Sequence, residues 1–466
     1  MYSTSTADAK AQLPVGPPTN ALRSIPENFA FHSSPESFIA SRLQQATGSD
    51  PSLLSYRTPI RAKILNRNVA VISSYKQIQA VLDHADTESE HPAYEAQSAY
   101  NELMRDFFPP PNLLLTDGCP HKEMRKSWEN SFSRADSVKK LIAKIVLDIF
   151  GSSDASEIDL YETCKEISWR ILLKVFLDLE PDDKLFCTVQ SLQEELLRGQ
   201  FSLVPVSVNI GFWRSPRSKG IEARGKLQQL IEQCILQSDD NLKMLKSTPD
   251  LNMQAKRDHI LMMTSSLACK GMSSLLTAFL LNLFLFERGG VHLKDEMASS
   301  SGSERSHRLR SIYLETERLS PPIVGVMRRV RREMVLEGVA DGQDTLLPAG
   351  WDVWLYFVGA GRDAEIFGDS YMDFVPDRYM QDHTAEPLGF GLGPKSCLGK
   401  SLTRTMILEV AEALLDSGTR LAGQMSSPGI RGWLGWSEAT PEQWAADVKQ
   451  LPTQHPRKSV MVKVIR

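Results

Sequence analysis

The chain has 466 residues and a formal net charge of −4, with 42% hydrophobic and 24% charged residues. This balance is typical of a globular protein with enough apolar material for a large core, and the small net charge excludes nucleic acid as an expected partner. The six cysteines have no Cys-x-x-Cys spacing and no disulfide-like clustering, so we expect reduced thiols in a cytoplasmic protein.

The first residues are polar and rich in proline, and we predict a flexible leader over residues 1–30 and a single domain over residues 31–466. Neither the apolar run of a membrane anchor nor a signal-peptide pattern occurs there, so no transmembrane anchor is expected. The one long apolar stretch, residues 260–286, is interrupted by Lys270 and Asn282. We interpret it as a buried central helix, because a membrane span needs about 20 apolar residues in a row.

Most of the remaining chain has helical periodicity, with short strand-like segments around it. Residues 61–73 alternate as a strand does, and the apolar segment 201–216 lacks helical periodicity and is predicted to be a covering loop. The first predicted helices are at residues 36–46, over most of 120–196 with breaks near 151 and 181, and at 219–237. Further helices are predicted at 257–287, from the Ser/Gly tract at 299–306 to about residue 319, and from 398 to 417. Short strands are predicted up to about residue 377 and over 458–465. The pattern predicts a mainly α fold with small β-sheets.

A cysteine in a glycine-rich segment precedes the last long helix. The sequence from Phe390 to Gly399 reads Phe-Gly-Leu-Gly-Pro-Lys-Ser-Cys-Leu-Gly, which indicates a sharply bent backbone that another group approaches closely. Cys397 therefore lies at a helix N-terminus, where backbone N–H groups favour a thiolate. Such a thiolate is a suitable ligand for haem iron, although a buried structural cysteine in a turn explains the same segment.

This segment resembles the haem-binding signature of the cytochromes P-450, Phe-Gly-x-Gly-x-x-x-Cys-x-Gly, at every fixed position. The resemblance implies that Cys397 ligates the iron of haem b (iron protoporphyrin IX) and that Phe390, Gly391 and Gly399 help to bind the cofactor. It also implies the cytochrome P-450 fold, with the haem between a long central distal helix and the proximal Cys-loop helix. Lys395 stands where the family usually has His or Arg, and it can contact a haem propionate there as a point charge.

Another part of the chain resembles the family's propionate-binding helix. His121 and Arg125, in the segment Asp117-Gly-Cys-Pro-His-Lys-Glu-Met-Arg, are four residues apart and share a helix face. By the resemblance both contact propionates through charge-assisted hydrogen bonds, and Arg328 matches a third donor. Without that context, a His/Arg pair on a helix is usually a surface feature.

A third resemblance concerns the packing of the fold. Glu315 and Arg318 are one helical turn apart, which by itself describes a solvated surface pair worth about 0.3–0.5 kcal/mol. The later sequence Pro376-Asp-Arg378-Tyr resembles the family element that completes this pair. The resemblance implies a buried structural cluster of Glu315, Arg318 and Arg378 that braces the cysteine loop.

The distal helix departs from the family pattern. Ordinary oxygenases of the family have Ala-Gly-x-(Asp/Glu)-Thr there, and the acid and alcohol relay protons. The matching segment here, from Ala268, reads Ala-Cys-Lys-Gly-Met-Ser, so Gly271 replaces the acid and Met272 the threonine. Ser273 supplies an alcohol if the alignment shifts by one. No Asp or Glu occurs from residue 259 to 286, so no alignment restores the acid. Met272 is interpreted as pocket filler, with iron ligation by its sulfur as the alternative.

Two enzymatic interpretations follow. In the first, the protein is a monooxygenase that relays protons through Ser273, ordered water or a substrate hydroxyl and receives electrons from a ferredoxin or flavoprotein reductase. In the second, the haem rearranges, dehydrates, isomerises or cyclises an already oxygenated substrate. A non-catalytic haem protein is the third alternative.

The substrate pocket is predicted from residues 93–114, 201–213 and 267–272, which are largely apolar. Such a lining favours a lipophilic small molecule, such as a terpenoid, polyketide or fatty-acid derivative from natural-product biosynthesis. We expect a monomer.

Overall fold

The computed structural model describes residues 11–17, 21–47, 58–85, 92–132, 138–152, 157–202, 207, 209–210, 213–237, 251–300, 302–338, 343–381, 384–423 and 448–465. Its helices are α1 (Ala21–Ser33), α2 (Pro35–Thr47), α3 (Tyr75–Asp83), α4 (Ala96–Met104), α5 (Gly118–Phe132), α6 (Lys139–Ser152), α7 (Leu160–Leu177), α8 (Lys184–Gln200), α9 (Pro216–Gln237), α10 (Met253–Met263), α11 (Ser266–Leu285), α12 (Leu293–Ser299), α13 (Gly302–Leu319), α14 (Phe357–Gly361), α15 (Ala364–Phe367) and α16 (Lys400–Asp416).

The strands are short and are spread along the chain between the helices. They are β1 (Ile60–Ile64), β2 (Arg67–Ile72), β3 (Tyr94–Glu95), β4 (Glu157–Asp159), β5 (Asn209–Ile210), β6 (Trp213–Arg214), β7 (Glu287–Arg288), β8 (Val291–His292), β9 (Gly325–Val330), β10 (Met334–Leu336), β11 (Thr345–Leu347), β12 (Asp352–Tyr356), β13 (Arg420–Gly423), β14 (Val448–Lys449), β15 (His455–Pro456) and β16 (Met461–Ile465). The prediction of a mainly α fold with small sheets is confirmed.

The largest sheet has the strand order β1-β2-β12-β9-β3. Strand β12 is parallel to β2 and antiparallel to β9, which places Val353 beside Ala70 on one side and beside Arg328 on the other. Arg328 lies on β9, which is paired with β12 on one side and with β3 on the other.

A smaller sheet joins β13, β16 and β4, so residues 420–423 and 461–465 are attached to the strand that precedes α7.

Helix α11 is the centre of the helical core. Its sequence is mostly apolar, and most of its side chains are buried, among them Leu275, Leu276 and Phe279. It packs against α7, α13 and α16. The segment Met253–Leu285 is long and apolar enough to cross a membrane, but 72% of its most apolar window is buried inside the protein, as a central core helix requires.

The helix predicted over residues 257–287 is in fact two helices. Thr264 donates its hydroxyl hydrogen to the Ile260 carbonyl, and the Ser265 hydroxyl then caps α11 by accepting from the amide of Ala268. Gln193 on α8 donates to the Leu261 carbonyl and to the Thr264 hydroxyl, which stabilises the break. A Thr-Ser pair inside an apolar stretch is a cap signal that the periodicity hides.

Within the predicted leader, Gln12 and Val15 form backbone hydrogen bonds with the chain at residues 344–346 and 59–61, and α1 begins at Ala21. Residues 1–10 and 18–20 lie outside the described part, and the boundary of the leader stays a prediction. The single strand predicted over 61–73 is a hairpin that turns at Leu65 and Asn66, both of which have positive φ, as a two-residue hairpin turn requires.

Candidate functional site

A cavity of about 440 Å³ lies between the Cys397 loop and the first half of α11. Most of its wall is apolar, but Arg125, Arg328 and Lys395 also line it. None of the described residues that line it is an aspartate or a glutamate. The cavity is therefore suited to an apolar molecule that carries negative charge at one end.

The cysteine loop closes on itself before α16 begins. The Cys397 amide donates to the Phe390 carbonyl at 2.8 Å, and the Ser396 amide donates to the Gly393 carbonyl at 3.1 Å. Gly391 and Gly393 both have a φ of +68°, which side chains rarely permit. This backbone aims the Cys397 thiol at the cavity.

The thiol is exposed toward the cavity but lies deep in the protein. Burial raises the pKa of Cys397, and the N–H groups of Gly399 and Lys400, together with Arg125, lower it only in part. The backbone N–H groups at the helix start therefore act in the expected direction, toward the thiolate, although burial outweighs them. A cation at the sulfur, such as a metal ion that Cys397 ligates, would favour the thiolate further.

Two of the predicted propionate contacts also hold the loop. Arg125 on α5 donates to the Ser396 carbonyl at 2.6 Å and to the Pro394 carbonyl at 3.1 Å. Lys395 forms an ion pair with Asp117 at 2.9 Å and donates to the Leu113 carbonyl at 2.9 Å. Both cations line the cavity while they attach the loop to the segment around α5.

The other two predicted contacts are buried at the cavity wall. His121 is 3% exposed, and burial together with the positive charges of Lys395 and Arg125 lowers its pKa to about 4. Arg328 is 4% exposed and donates to the carbonyl of its neighbour Met327. A neutral imidazole and a buried guanidinium are both hydrogen-bond donors that suit carboxylate oxygens.

The structure brings Glu315, Arg318 and Arg378 together in a buried cluster. Two nitrogens of Arg318 lie 2.6 and 2.8 Å from the Glu315 oxygens, and the Arg378 Nε lies 3.0 Å from Oε2. The same guanidinium groups donate to the carbonyls of residues 361, 367, 370, 371 and 373. The cluster thus attaches the segment 361–378 to α13.

A second acid of α13, Glu317, was missed by the sequence reasoning. It is 1% exposed, and neither carboxylate oxygen has a well-aligned hydrogen bond to the described residues, although Tyr313 lies beside it. Burial raises the pKa of Glu317 to about 8. Its side chain lies against Gly389, at the start of the cysteine loop.

Three of the four predicted distal residues line the wall opposite the cysteine, but the predicted alcohol, Ser273, does not. The three residues that line it are Ala268, Gly271 and Met272. The Ser273 hydroxyl donates to the Cys269 carbonyl at 2.6 Å, on the side of α11 that faces Ser168 of α7. The predicted relay through Ser273 is therefore wrong, because one residue further along a helix rotates the side chain by about 100°.

The predicted pocket is partly right. Residues of α4, the loop around 113 and 114, and the start of α11 line the cavity, whereas none of the described residues of 201–213 does. Residues 203–206, 208 and 211–212 lie outside the described part. A wall residue that the sequence did not suggest is His259 of α10, which is fully buried.

Comparisons with known proteins agree with this geometry. The family model for cytochrome P-450 matches residues 308–417. Cytochrome P-450 85A1 from Solanum lycopersicum is 25% identical over 65% of this chain and 68% of its own length, and cytochrome P-450 26C1 from Mus musculus is 22% identical over 77% and 76%.

Two solved structures share the fold. The structure of retinoic acid-bound cyanobacterial CYP120A1 aligns with a TM-score of 0.74 and 18% identity, over 98% of this chain and 100% of that one. CYP175A1 from Thermus thermophilus aligns with a TM-score of 0.64 and 17% identity, over 95% and 97%.

Proposed function

The chain belongs to the cytochrome P-450 superfamily of haem-thiolate enzymes, and from that premise we propose a monooxygenase of lipophilic small molecules. The observation that carries the proposal is the Cys397 thiol, which faces a largely apolar cavity lined by cations and by no described carboxylate. The class of substrate, the reaction and the roles of the residues below are part of the proposal.

The cavity residues fit an iron porphyrin, and we propose that this cofactor is haem b. Cys397 offers a soft sulfur ligand. An added Cβ at Gly271 would meet none of the described atoms within 4 Å, so α11 leaves room for a flat group. Arg328, His121 and Lys395 supply donors for two carboxylates. The positive charges of Arg328 and Lys395 would balance a dianionic cofactor in a wall where none of the described residues is an acid.

A thiolate-ligated haem supplies one-electron and dioxygen chemistry when it is bound. The chain contributes binding and orientation. The hydrogen bond from the Cys397 amide to the Phe390 carbonyl fixes the position of the sulfur. Arg125 attaches the loop to α5 through the Ser396 carbonyl. The apolar wall around Met262, Phe132 and Phe176 keeps bulk water away from the bound substrate.

The cavity lining favours a lipophilic substrate. Apolar side chains from α5, α7, α10 and α11 form most of the wall, and burial of apolar surface contributes about 25 cal/mol per Å². We propose a terpenoid, polyketide or fatty-acid derivative from natural-product biosynthesis. A structure of the same fold holds retinoic acid, a lipophilic molecule of comparable character.

One observation favours a second candidate, a non-oxygenative rearrangement, dehydration, isomerisation or cyclisation. Among the described residues, the wall opposite Cys397 offers neither an acid nor the Ser273 alcohol. Proton delivery to bound dioxygen in a monooxygenase would then need ordered water or a hydroxyl of the substrate.

Electron delivery from a ferredoxin or flavoprotein reductase is part of the first proposal. Lys122 and Lys126 are exposed on α5, beside the cysteine loop, and Lys400 is paired with Glu386 at 3.1 Å. These cations would attract an acidic partner. The expectations of a monomer and of a cytoplasmic location stay predictions.

The test of the haem-thiolate site is the optical spectrum of the purified protein, reduced and then exposed to carbon monoxide. We expect a Soret band far to the red in the wild type and its loss in Cys397→Ala. Cys119→Ala removes an exposed cysteine on α5 and is the matched control, which should keep the band. If the wild type binds haem but its Soret band with carbon monoxide is not shifted to the red, Cys397 is not the ligand.

The two reactions are separated by turnover without oxygen and without an electron donor. A monooxygenase forms no product under these conditions, because both dioxygen and reductant are consumed in its reaction. Product under these conditions would exclude the monooxygenase and support the second candidate.

A further inference from the structure

His259 is held in one orientation by a tryptophan. Trp128 on α5 donates its indole N–H to the Nδ1 of His259 at 2.9 Å, and both side chains are fully buried. An indole nitrogen can only donate, so Nδ1 accepts. Burial lowers the pKa of His259 to about 4, so the ring is neutral at ordinary pH and its hydrogen is on Nε2.

The Nε2–H group of His259 has no acceptor among the described residues. A buried N–H without an acceptor costs roughly 1–3 kcal/mol, so such groups usually have a partner in the functional state. His259 belongs to the wall of the cavity, together with the apolar side chains of Met262 and Met263 on the same helix and of Phe132 and Phe176. Because none of the described residues accepts from Nε2–H, a molecule in the cavity is the candidate acceptor.

We propose that the Nε2–H of His259 donates a hydrogen bond to a carboxylate or carbonyl oxygen of a molecule bound in the cavity. The inference rests on the proposed haem site and adds a hydrogen-bond donor to the part of the wall formed by α10, where Met262 and Met263 are apolar. Arg125, Arg328 and Lys395 on the same wall, with no described carboxylate, favour an oxygen of negative charge. Two sources supply that oxygen, which are the substrate and a haem propionate.

Two substitutions separate the donor from the packing role. In His259→Asn the amide oxygen lies near the position of Nδ1 and can still accept from Trp128, but nothing replaces Nε2–H. In His259→Gln the longer side chain places an amide N–H near the position of Nε2. Met262→Leu changes the same wall without a polar group and is the matched control.

The experiment uses the haem-loaded protein and two probes, dodecanoic acid and dodecane. Their dissociation constants are measured from the shift of the Soret band, and haem retention is measured as the rate of haem transfer to apomyoglobin. If the acceptor is on the substrate, His259→Asn weakens dodecanoic acid about tenfold, as expected for loss of one hydrogen bond of about 1.4 kcal/mol. Dodecane affinity and haem transfer then stay unchanged, and His259→Gln restores acid binding in part.

If the acceptor is a propionate, His259→Asn speeds haem transfer and leaves the relative affinity for the two probes unchanged. Met262→Leu should alter the affinity for both probes alike. Equal behaviour of wild type and His259→Asn in all three measurements, including the case in which neither protein binds the acid, overturns the inference. If His259→Asn does not fold, Trp128→Phe is the second variant, because it keeps the imidazole but removes the donor that fixes its tautomer. Unchanged affinity for dodecanoic acid and unchanged haem transfer in Trp128→Phe would then overturn the inference. A wild type that takes up no haem overturns the proposed function itself.

Discussion

The guanidinium of Arg125 donates to the carbonyl of Ser396, the residue before the cysteine, at 2.6 Å. It also donates to the Pro394 carbonyl and to the Ser396 hydroxyl. A side chain that was predicted to contact the cofactor therefore also holds the loop that carries the ligand. Loop position and cofactor binding are coupled through this one residue.

Replacement of Arg125 should weaken haem binding through the loop. Arg125→Ala leaves the Pro394 and Ser396 carbonyls without their donor, which costs about 1–3 kcal/mol in the folded state. We expect faster haem loss and a lower melting temperature of the haem-loaded protein, measured by absorbance and calorimetry. Arg125→Lys keeps the positive charge but not the several N–H donors of the guanidinium. It should therefore recover only part of the wild-type haem retention and melting temperature. A melting temperature equal to the wild type in Arg125→Ala would contradict the coupling.

Removal of Glu315 should be severely destabilising. Arg318 is fully buried and Arg378 nearly so, and loss of their shared carboxylate leaves uncompensated buried charge, at a cost of roughly 3–5 kcal/mol. We expect Glu315→Ala to give little soluble protein and a large loss in the free energy of unfolding.

The control for this variant lies on the same helix. Glu304 is 63% exposed and pairs with Arg308 at 3.6 Å, so Glu304→Ala should change the free energy of unfolding by less than about 1 kcal/mol. Soluble, haem-loaded Glu315→Ala with the stability of the control would show that the cluster does not brace the fold.

The sequence was informative where chemistry is encoded by local spacing. The loop from Phe390 to Gly399 has a cysteine at a fixed distance from its glycines, and this local spacing alone predicts a haem-binding loop. The predicted strand over 61–73 failed at Leu65 and Asn66, because Asn in a left-handed turn resembles an ordinary polar position of an alternating strand.

The remaining errors concern which way a side chain faces. Ser273 differs from Met272 by one position, yet it faces α7 while Met272 lines the cavity. His259 and Glu317 stand in ordinary helical sequence, and their importance comes from burial beside Trp128 and Gly389, which are far away along the chain. Such neighbours are fixed by tertiary packing, which one sequence does not specify locally.

Glu317 should make stability depend on pH. Burial raises its pKa from 4.5 to about 8, so between these values the unfolded chain releases a proton that the folded protein keeps. Stability is therefore full below pH 4.5 and falls as pH rises to about 8, by at most about 1.4 kcal/mol per pH unit. Glu317→Gln cannot ionise and should become progressively more stable than the wild type over this range. Urea unfolding at pH 5.5, 6.5 and 7.5 measures the difference, and parallel curves for the two proteins would contradict it.

Gly271 should reveal whether a flat group lies against α11. In a helix interior, Ala is favoured over Gly by roughly 0.5–1 kcal/mol, and an added Cβ at residue 271 meets none of the described atoms within 4 Å. Gly271→Ala should therefore stabilise the haem-free protein. If the haem lies against this glycine, the same methyl group should crowd it, and the variant should release haem faster than the wild type.

The matched control is Gly225 of α9, which also has none of the described atoms within 4 Å of an added Cβ but does not line the cavity. Gly225→Ala should stabilise the haem-free and haem-loaded proteins alike. Thermal unfolding of both forms, together with haem-transfer rates, gives the comparison. If Gly271→Ala stabilises both forms as Gly225→Ala does, the cofactor does not approach α11 at residue 271, and the distal wall must be sought elsewhere along the helix.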